Sequence, residues 1–209
     1  MKITVDNNTT TKPLKQNNYG ETNFKKKLMK ITETKIKDCL IIEDRVFSDD
    51  RGQFYEVFNE KTFLDKTGIR FNVVQENESF SYSNVLRGLH FQRGEFAQGK
   101  IVRVLKGHVY DVCVDLRPDS KSFGKYVGIE LNGSDRLQFH VPRGCAHGFL
   151  VLSEYAIFNY KVDNFYNKES EGGLIFDDPD VGIDWSVERK NLIISEKDLT
   201  LPKLKDLIL

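Results

Sequence analysis

The segment Arg87-Gly88-Leu89-His90-Phe91-Gln92 sets an imidazole between a guanidinium and an amide. Lys100 follows at the threshold of the chain's strongest β pattern, Ile101 to Leu116. A base beside a fixed positive charge suits removal of a proton next to a carbonyl, with the cation holding the enolate that results. Free imidazole has a pKa of about 6.5, so it serves as a base near neutrality. Tyrosine, with a free pKa of about 10, stays protonated and able to donate; Tyr160 sits in a later strand pattern. Several arginines carry planar donor forks of the kind that fit phosphate oxygens. Together these residue types fit a proton-out, proton-in reaction with no redox step.

Other chemistries find less support. The four histidines are His90, His108, His140 and His147, with no HxH and no HExxH among them. A metal held by His90, His140 and His147 is the one combination open, and no metal is expected. His108 falls in a turn pattern and reads as solvent-exposed. His140 lies in a strand pattern and reads as a hydrogen-bonded structural residue. No Gly-rich phosphate loop opens a helix, and no serine or cysteine nucleophile motif occurs. Each favoured residue also has a plainer reading. Arg87 suits a scaffold ion pair, Lys100 a solvated strand edge, Tyr160 a core aromatic, and Asp198 a cap for a C-terminal helix.

The elements that must position these groups read as β. The core begins near Cys39-Leu40-Ile41-Ile42, and Asp49-Asp50-Arg51-Gly52 is a turn before an aromatic strand, Phe54-Tyr55-Glu56-Val57-Phe58. Asn59 to Lys66 predicts a short helix stopped by Gly68. Val73-Val74-Gln75 reads as a strand. Ile101 to Leu105, the turn Lys106-Gly107-His108 and Val109 to Leu116 read as a hairpin. Tyr126 to Leu131, Leu137 to Val141, Gly148 to Leu152 and Ala156 to Val162 continue the series. Short strands at this spacing predict a sandwich or barrel, and a closed barrel of this size holds one small ligand. Ala156, Phe158 and Tyr160 share one face by alternation. The last stretch, Leu204 to Leu209, reads as helical. Residues 1–30 read as a polar extension, since Asn7-Asn8-Thr9-Thr10-Thr11 and Lys25-Lys26-Lys27 bury little; residues 31–209 form the single domain.

Composition narrows the partners. The 209 residues carry a formal net charge of +0, 39% hydrophobic and 30% charged residues, which favours neither nucleic acid nor an anionic membrane. No apolar run approaches the ~18 residues of a membrane span, and the Lys- and Asn-rich start does not read as a secretory signal. The three widely spaced cysteines, Cys39, Cys113 and Cys145, form no CxxC pair, so the cytoplasm is expected. Cys113 reads as a small core hydrophobe.

Phe47-Ser48-Asp49-Asp50-Arg51-Gly52, Gln75-Glu76-Asn77, the His90 segment, Gly99-Lys100-Ile101-Val102-Arg103-Val104, Ala146-His147-Gly148-Phe149 and Ser195-Glu196-Lys197-Asp198 occur in this order, with Asp178-Pro179 and Ile183-Asp184-Trp185 between the last two. The ordered set resembles the dTDP-4-dehydrorhamnose 3,5-epimerase family over roughly residues 31 to 205. The resemblance implies a mainly β, cupin-type jelly-roll barrel with short helices near the C-terminus, assembled as a homodimer and acting without cofactor or metal on a nucleotide-diphosphate 4-keto sugar. It implies His90 as general base with Asp198 as its carboxylate partner, Lys100 near the keto oxygen and Tyr160 as acid on the opposite face. It implies substrate contacts from Arg51, Glu56, Gln75, Asn77, Arg87, His147, Tyr166 and Glu171; Phe54 is an aromatic suited to stacking on the base. Phe165-Tyr166 stands where the family often has Tyr-Tyr. Alternatives in the same chemistry are a 3- or 5-mono-epimerase, or a 3,5-epimerase of another nucleotide-linked 4-keto sugar such as a GDP-heptose. Outside it stand a metal-dependent or sugar-binding cupin and a structural β protein.

Overall fold

The computed structural model describes residues 25–27 and 29–207. Its strands, in chain order, are β1 (Lys25–Lys27), β2 (Lys30–Glu33), β3 (Leu40–Glu43), β4 (Arg45–Asp49), β5 (Gly52–Glu56), β6 (Gln75–Tyr82), β7 (Leu86–Gln92), β8 (Lys100–Lys106), β9 (His108–Asp115), β10 (Tyr126–Asn132), β11 (Leu137–Val141), β12 (Cys145–Val151), β13 (Tyr155–Val162) and β14 (Glu171–Gly173). Two helices join them, α1 (Glu60–Thr67) and α2 (Glu196–Leu199). A six-stranded sheet runs β2-β3-β11-β8-β13-β6 and a five-stranded sheet runs β10-β9-β12-β7-β14. A third sheet, β1-β4-β5, stands apart as an arm. From β7 onward the chain passes repeatedly between the two larger sheets, whose pairings are antiparallel. This is the jelly-roll barrel that the motif order implied.

Alternation decides what lies between the sheets. Val102, Val104, Val109, Cys113, Phe139, Val141, Cys145, Phe149, Val151, Ala156 and Phe158 pack there as one core. The opposite faces of β7, β9 and β12 are apolar too, and the C-terminal segment covers them with Leu174, Phe176 and Trp185. That outer layer brings the segment around Ile193 alongside Val85, where Leu86 N donates to the Ile193 carbonyl. On the other sheet, α1 presses Phe63 against Phe71, Leu40 and Ile42. Asn59 caps this helix by accepting from Thr62 N, and Gly68 ends it at φ 71°, as the sequence predicted.

Several expectations are corrected. The strands on either side of Gly107 do not pair; β8 belongs to the six-stranded sheet and β9 to the five-stranded one. Gly107 turns the chain from one sheet to the other at φ 88°, and a Cβ there would lie 2.1 Å from the Tyr155 carbonyl oxygen. Val73 and Val74 precede the strand, which runs Gln75–Tyr82. Of the expected C-terminal helix, Leu204–Asp206 forms a 3-10 turn with Leu204 and Leu207 packed against the outer face of the barrel, and residues 208–209 lie outside the described ones. His108 is half-buried rather than exposed, with Nε2 2.9 Å from Glu130. Lys25–Lys27, inside the expected extension, pair with β4, and residues 1–24 lie outside the described ones. No helix among the described residues is long and apolar enough to cross a membrane.

Candidate active site

His90 lies within β7 and pairs across to His147 on β12. Gly88 makes this approach possible. Its φ is 122°, and a Cβ on it would meet Gly148 Cα at 2.6 Å. The two strands therefore pack closely enough to turn both imidazoles inward. Lys100 opens β8, and Tyr160 stands on β13 on the same inward face as Phe158, as alternation required.

These side chains converge. His90, Lys100, His147, Tyr160, Arg87 and Asp198 all line one cavity of about 590 Å³. The stacked rings of Phe149 and Phe158, 4.1 Å apart, form part of its apolar lining. A cavity of that size matches a small-ligand site with a few convergent polar groups.

Asp198 is brought in from 108 residues away. The cap of α2 is Ser195, whose hydroxyl accepts from Asp198 N, so the Asp198 carboxylate is free of capping duty. Its Oδ1 lies 2.8 Å from His90 Nε2 and its Oδ2 accepts from Gly88 N at 3.1 Å. Burial pushes this carboxyl up, but the His90 bond and charge, the Gly88 N–H and Ser195 outweigh it and hold it below the usual range. An ionised carboxylate on Nε2 leaves Nδ1 as the basic nitrogen of His90.

Lys100 Nζ lies 3.5 Å from the His90 carbonyl oxygen, and burial pulls its pKa down to about 8. Burial raises the Tyr160 phenol, against a smaller lowering by the Arg87 charge. Arg87 makes no ion pair among the described residues; its Nε donates to Ser81 Oγ at 2.9 Å, and its charge remains available to an anion. His147 gives Nε2 to Asp111, 2.9 Å from Oδ1. His140 is the structural residue expected, bonded through Nδ1 to the Asp38 carbonyl at 2.7 Å. It lies outside the cavity lined by His90 and His147, so the three histidines do not converge.

The remaining candidates sit around this centre or away from it. Glu171 on β14 accepts from Lys197 at 2.7 Å and from the exposed Tyr166 at 3.3 Å, beside the cavity. Gln75 and Asn77 bond to each other at 2.7 Å further along β6, with Asn77 opposite Tyr160. Arg51, Phe54 and Glu56 are on the arm and do not line the cavity. Arg51 pairs with Asp49, Glu56 faces Arg45 at 3.6 Å, and Phe54 is 68% exposed. The lining residues that went unassigned in the sequence include Lys197 and Ser79. Lys197 adjoins Asp198 in the last motif, and Ser79 follows Asn77 by one strand period, its hydroxyl without a protein partner.

A family model described as dTDP-4-dehydrorhamnose 3,5-epimerase matches residues 33–206. The Escherichia coli protein of that name is 51% identical over 180 residues, 86% of this chain and 97% of the relative. The crystal structure of dTDP-4-dehydrorhamnose 3,5-epimerase from Elizabethkingia anophelis superimposes with a TM-score of 0.83 at 56% identity, covering 85% of this chain and 97% of that one. A dTDP-6-deoxy-D-glucose-3,5-epimerase from Legionella pneumophila, solved with dTDP-4-keto-L-rhamnose, gives 0.82 at 42% identity over 87% and 95% of the two chains. Motif order, barrel and family match all span the same residues, and this chain belongs to the dTDP-4-dehydrorhamnose 3,5-epimerase family.

Proposed function

We propose that this chain converts dTDP-4-dehydro-6-deoxy-D-glucose to dTDP-4-dehydro-L-rhamnose by inverting C5 and C3. The observation that carries the assignment is the His90–Asp198 pair, 2.8 Å long, in one cavity with Lys100, Arg87 and Tyr160. The C4 ketone acidifies the hydrogens on both neighbouring carbons. His90 takes the C5 proton, and Asp198 stabilises the imidazolium. The electron pair of the C–H bond moves to O4, where the Lys100 ammonium holds the enolate. Tyr160 returns a proton to the other face of C5. Imidazolium and phenolate then exchange protons with water, and the cycle repeats at C3. No electron leaves the sugar, so neither cofactor nor metal enters the balance. Arg87 takes the diphosphate, with His147, Lys197, Glu171 and Tyr166 around the sugar and its linkage. Arg51, Phe54 and Glu56, carried away from their own cavity on the arm, serve the nucleotide end of a second copy's cavity; Gln75 and Asn77 on the β6 edge receive that arm, and the enzyme works as a cytoplasmic homodimer.

Turnover in deuterated water tests the chemistry. The wild type is expected to place one deuterium at C3 and one at C5, with product NMR reporting both inversions. His90→Ala is expected to slow exchange at both carbons by about 10²–10⁴-fold. Exchange at the wild-type rate in that variant refutes the base assignment, and label at one carbon only makes the chain a mono-epimerase.

A further inference from the structure

Asp111 is out of place for a merely structural residue. It lies on β9 between Val109 and Cys113, on the face that fills the barrel. It is 0% exposed and does not line the cavity. A carboxylate there is costly to bury unless something needs its charge.

Two groups are placed to need it. Both Asp111 oxygens face His147 Nε2, at 2.9 and 3.1 Å. Burial raises the Asp111 carboxyl, while the His147 charge and bond and the Lys100 charge favour its ionised form. Ionised, it only accepts, so the proton of a neutral His147 sits on Nε2, and Nδ1 keeps a lone pair for a hydroxyl donor. The second group is Lys100. The charges of Asp111 on β9 and Glu171 on β14 act on it, the Cys113 thiol on β9 and His147 on β12 are also within electrostatic reach, and the His90 carbonyl oxygen on β7 lies 3.5 Å from its Nζ. Among these the anionic candidates differ in availability. Glu171 is engaged by Lys197 and Tyr166, and burial keeps the Cys113 thiol protonated. Asp198, the other buried carboxylate of the site, is bonded to His90.

We propose that Asp111 is a positioning residue for the reaction: one buried carboxylate that fixes His147 as a neutral Nε2–H tautomer and is the counter-charge that keeps Lys100 an ammonium. It never touches the sugar. It sets the charge of the group that holds the enolate and makes the second imidazole an acceptor rather than a competing cation. The inference rests on the epimerase reading, in which Lys100 must be charged.

The test is titration of the Lys100 ammonium by NMR in the ¹⁵N-lysine-labelled full chain without substrate, with kinetics alongside. Asp111→Asn is expected to lower the Lys100 midpoint by about one pH unit or more. At pH 7.5 kcat is expected to fall about threefold or more with KM nearly unchanged, and to recover towards pH 6. An unmoved Lys100 midpoint in the folded variant overturns the proposal, as does a loss of kcat equal at every pH. Should Asp111→Asn fail to fold, His147→Gln decides. It leaves Asp111 to serve Lys100 alone, so the midpoint stays or rises, and a fall overturns the proposal. A normal Lys100 titration in a wild type that epimerises no 4-keto sugar nucleotide would instead remove the epimerase reading.

Discussion

A lysine that holds an enolate is caught between two demands. Burial strengthens its attraction for the developing oxyanion, because fewer water dipoles screen it. The same burial favours the neutral amine, and it pulls Lys100 down to about 8. In the proposed role the protonated form is the active one, so this group's contribution is complete below that value and lost as pH rises through it. For the free enzyme, log(kcat/KM) is expected to bend near pH 8 and then fall with a slope of about one per pH unit. Tyr160 does not obscure this limb, since burial moves its phenol upward, away from pH 8. Measuring kcat/KM from pH 6 to 10 checks it, and a profile flat to pH 9.5 removes Lys100 from the role of charged oxyanion holder.

The elements show where the sequence was legible. Alternation in Ala156 to Tyr160 put Phe158 and Tyr160 on one inner face, and Asn59 and Gly68 bounded α1, because these signals are local. The β8–β9 hairpin was misread because a tight glycine turn between two apolar strands serves a pairing and a sheet-to-sheet crossing equally well. Only the packing of Gly107 against Tyr155 decides between them. Asp198 and Asp111 were harder still. One reaches its histidine across 108 residues, and the other sits as a lone acid in an apolar strand. A further acid at an element junction, Asp44 between β3 and β4, carries its own prediction. It is 2% exposed and accepts from Gln138, which also donates to the Val57 carbonyl at 2.7 Å. Burial lifts its pKa from 3.8 to about 6, against the Gln138 bond and the charges of Arg103, Arg136 and Lys161. The folded chain therefore holds this proton more tightly than the unfolded one. The stability of the neutral form is present below pH 4 and lost as pH rises through 6, so ionised Asp44 costs about 1–3 kcal/mol at pH 8. Asp44→Asn is expected to stabilise by that amount in urea unfolding at pH 8 and by roughly 0.5 kcal/mol or less at pH 4. A loss at pH 8 would show that the ionised carboxylate, not its neutral form, is what the junction requires.

At the scale of the whole molecule, the arm is the part that makes little sense in one copy. It forms a sheet of its own, and its Phe54 ring is 68% exposed. The cavity of one copy holds the proposed base, cation and acid, yet of the arginines expected to meet the diphosphate only Arg87 lines it. The proposed twofold assembly would resolve both facts, since each arm would then complete the other copy's site and β6, an outer strand of its sheet, would gain a neighbour. Base stacking is worth about 1–3 kcal/mol, so Phe54→Ala is expected to raise KM about 5- to 100-fold with kcat little changed. A sharper experiment asks which copy the arm serves. A chain with His90→Ala has a dead cavity and an intact arm, and a chain with Arg51→Ala and Phe54→Ala has the reverse. If arms act across the dimer, a heterodimer holds one site with both lesions and one site with neither. Random mixing of equal amounts then restores about a quarter of wild-type kcat/KM, because about half of the dimers are mixed and one of their two sites is whole. If each arm serves its own cavity, every site in the mixture carries a lesion and co-refolding restores nothing beyond the sum of the two variants. Activity of the co-refolded mixture, normalised to the dimer content seen by sedimentation, separates the two arrangements.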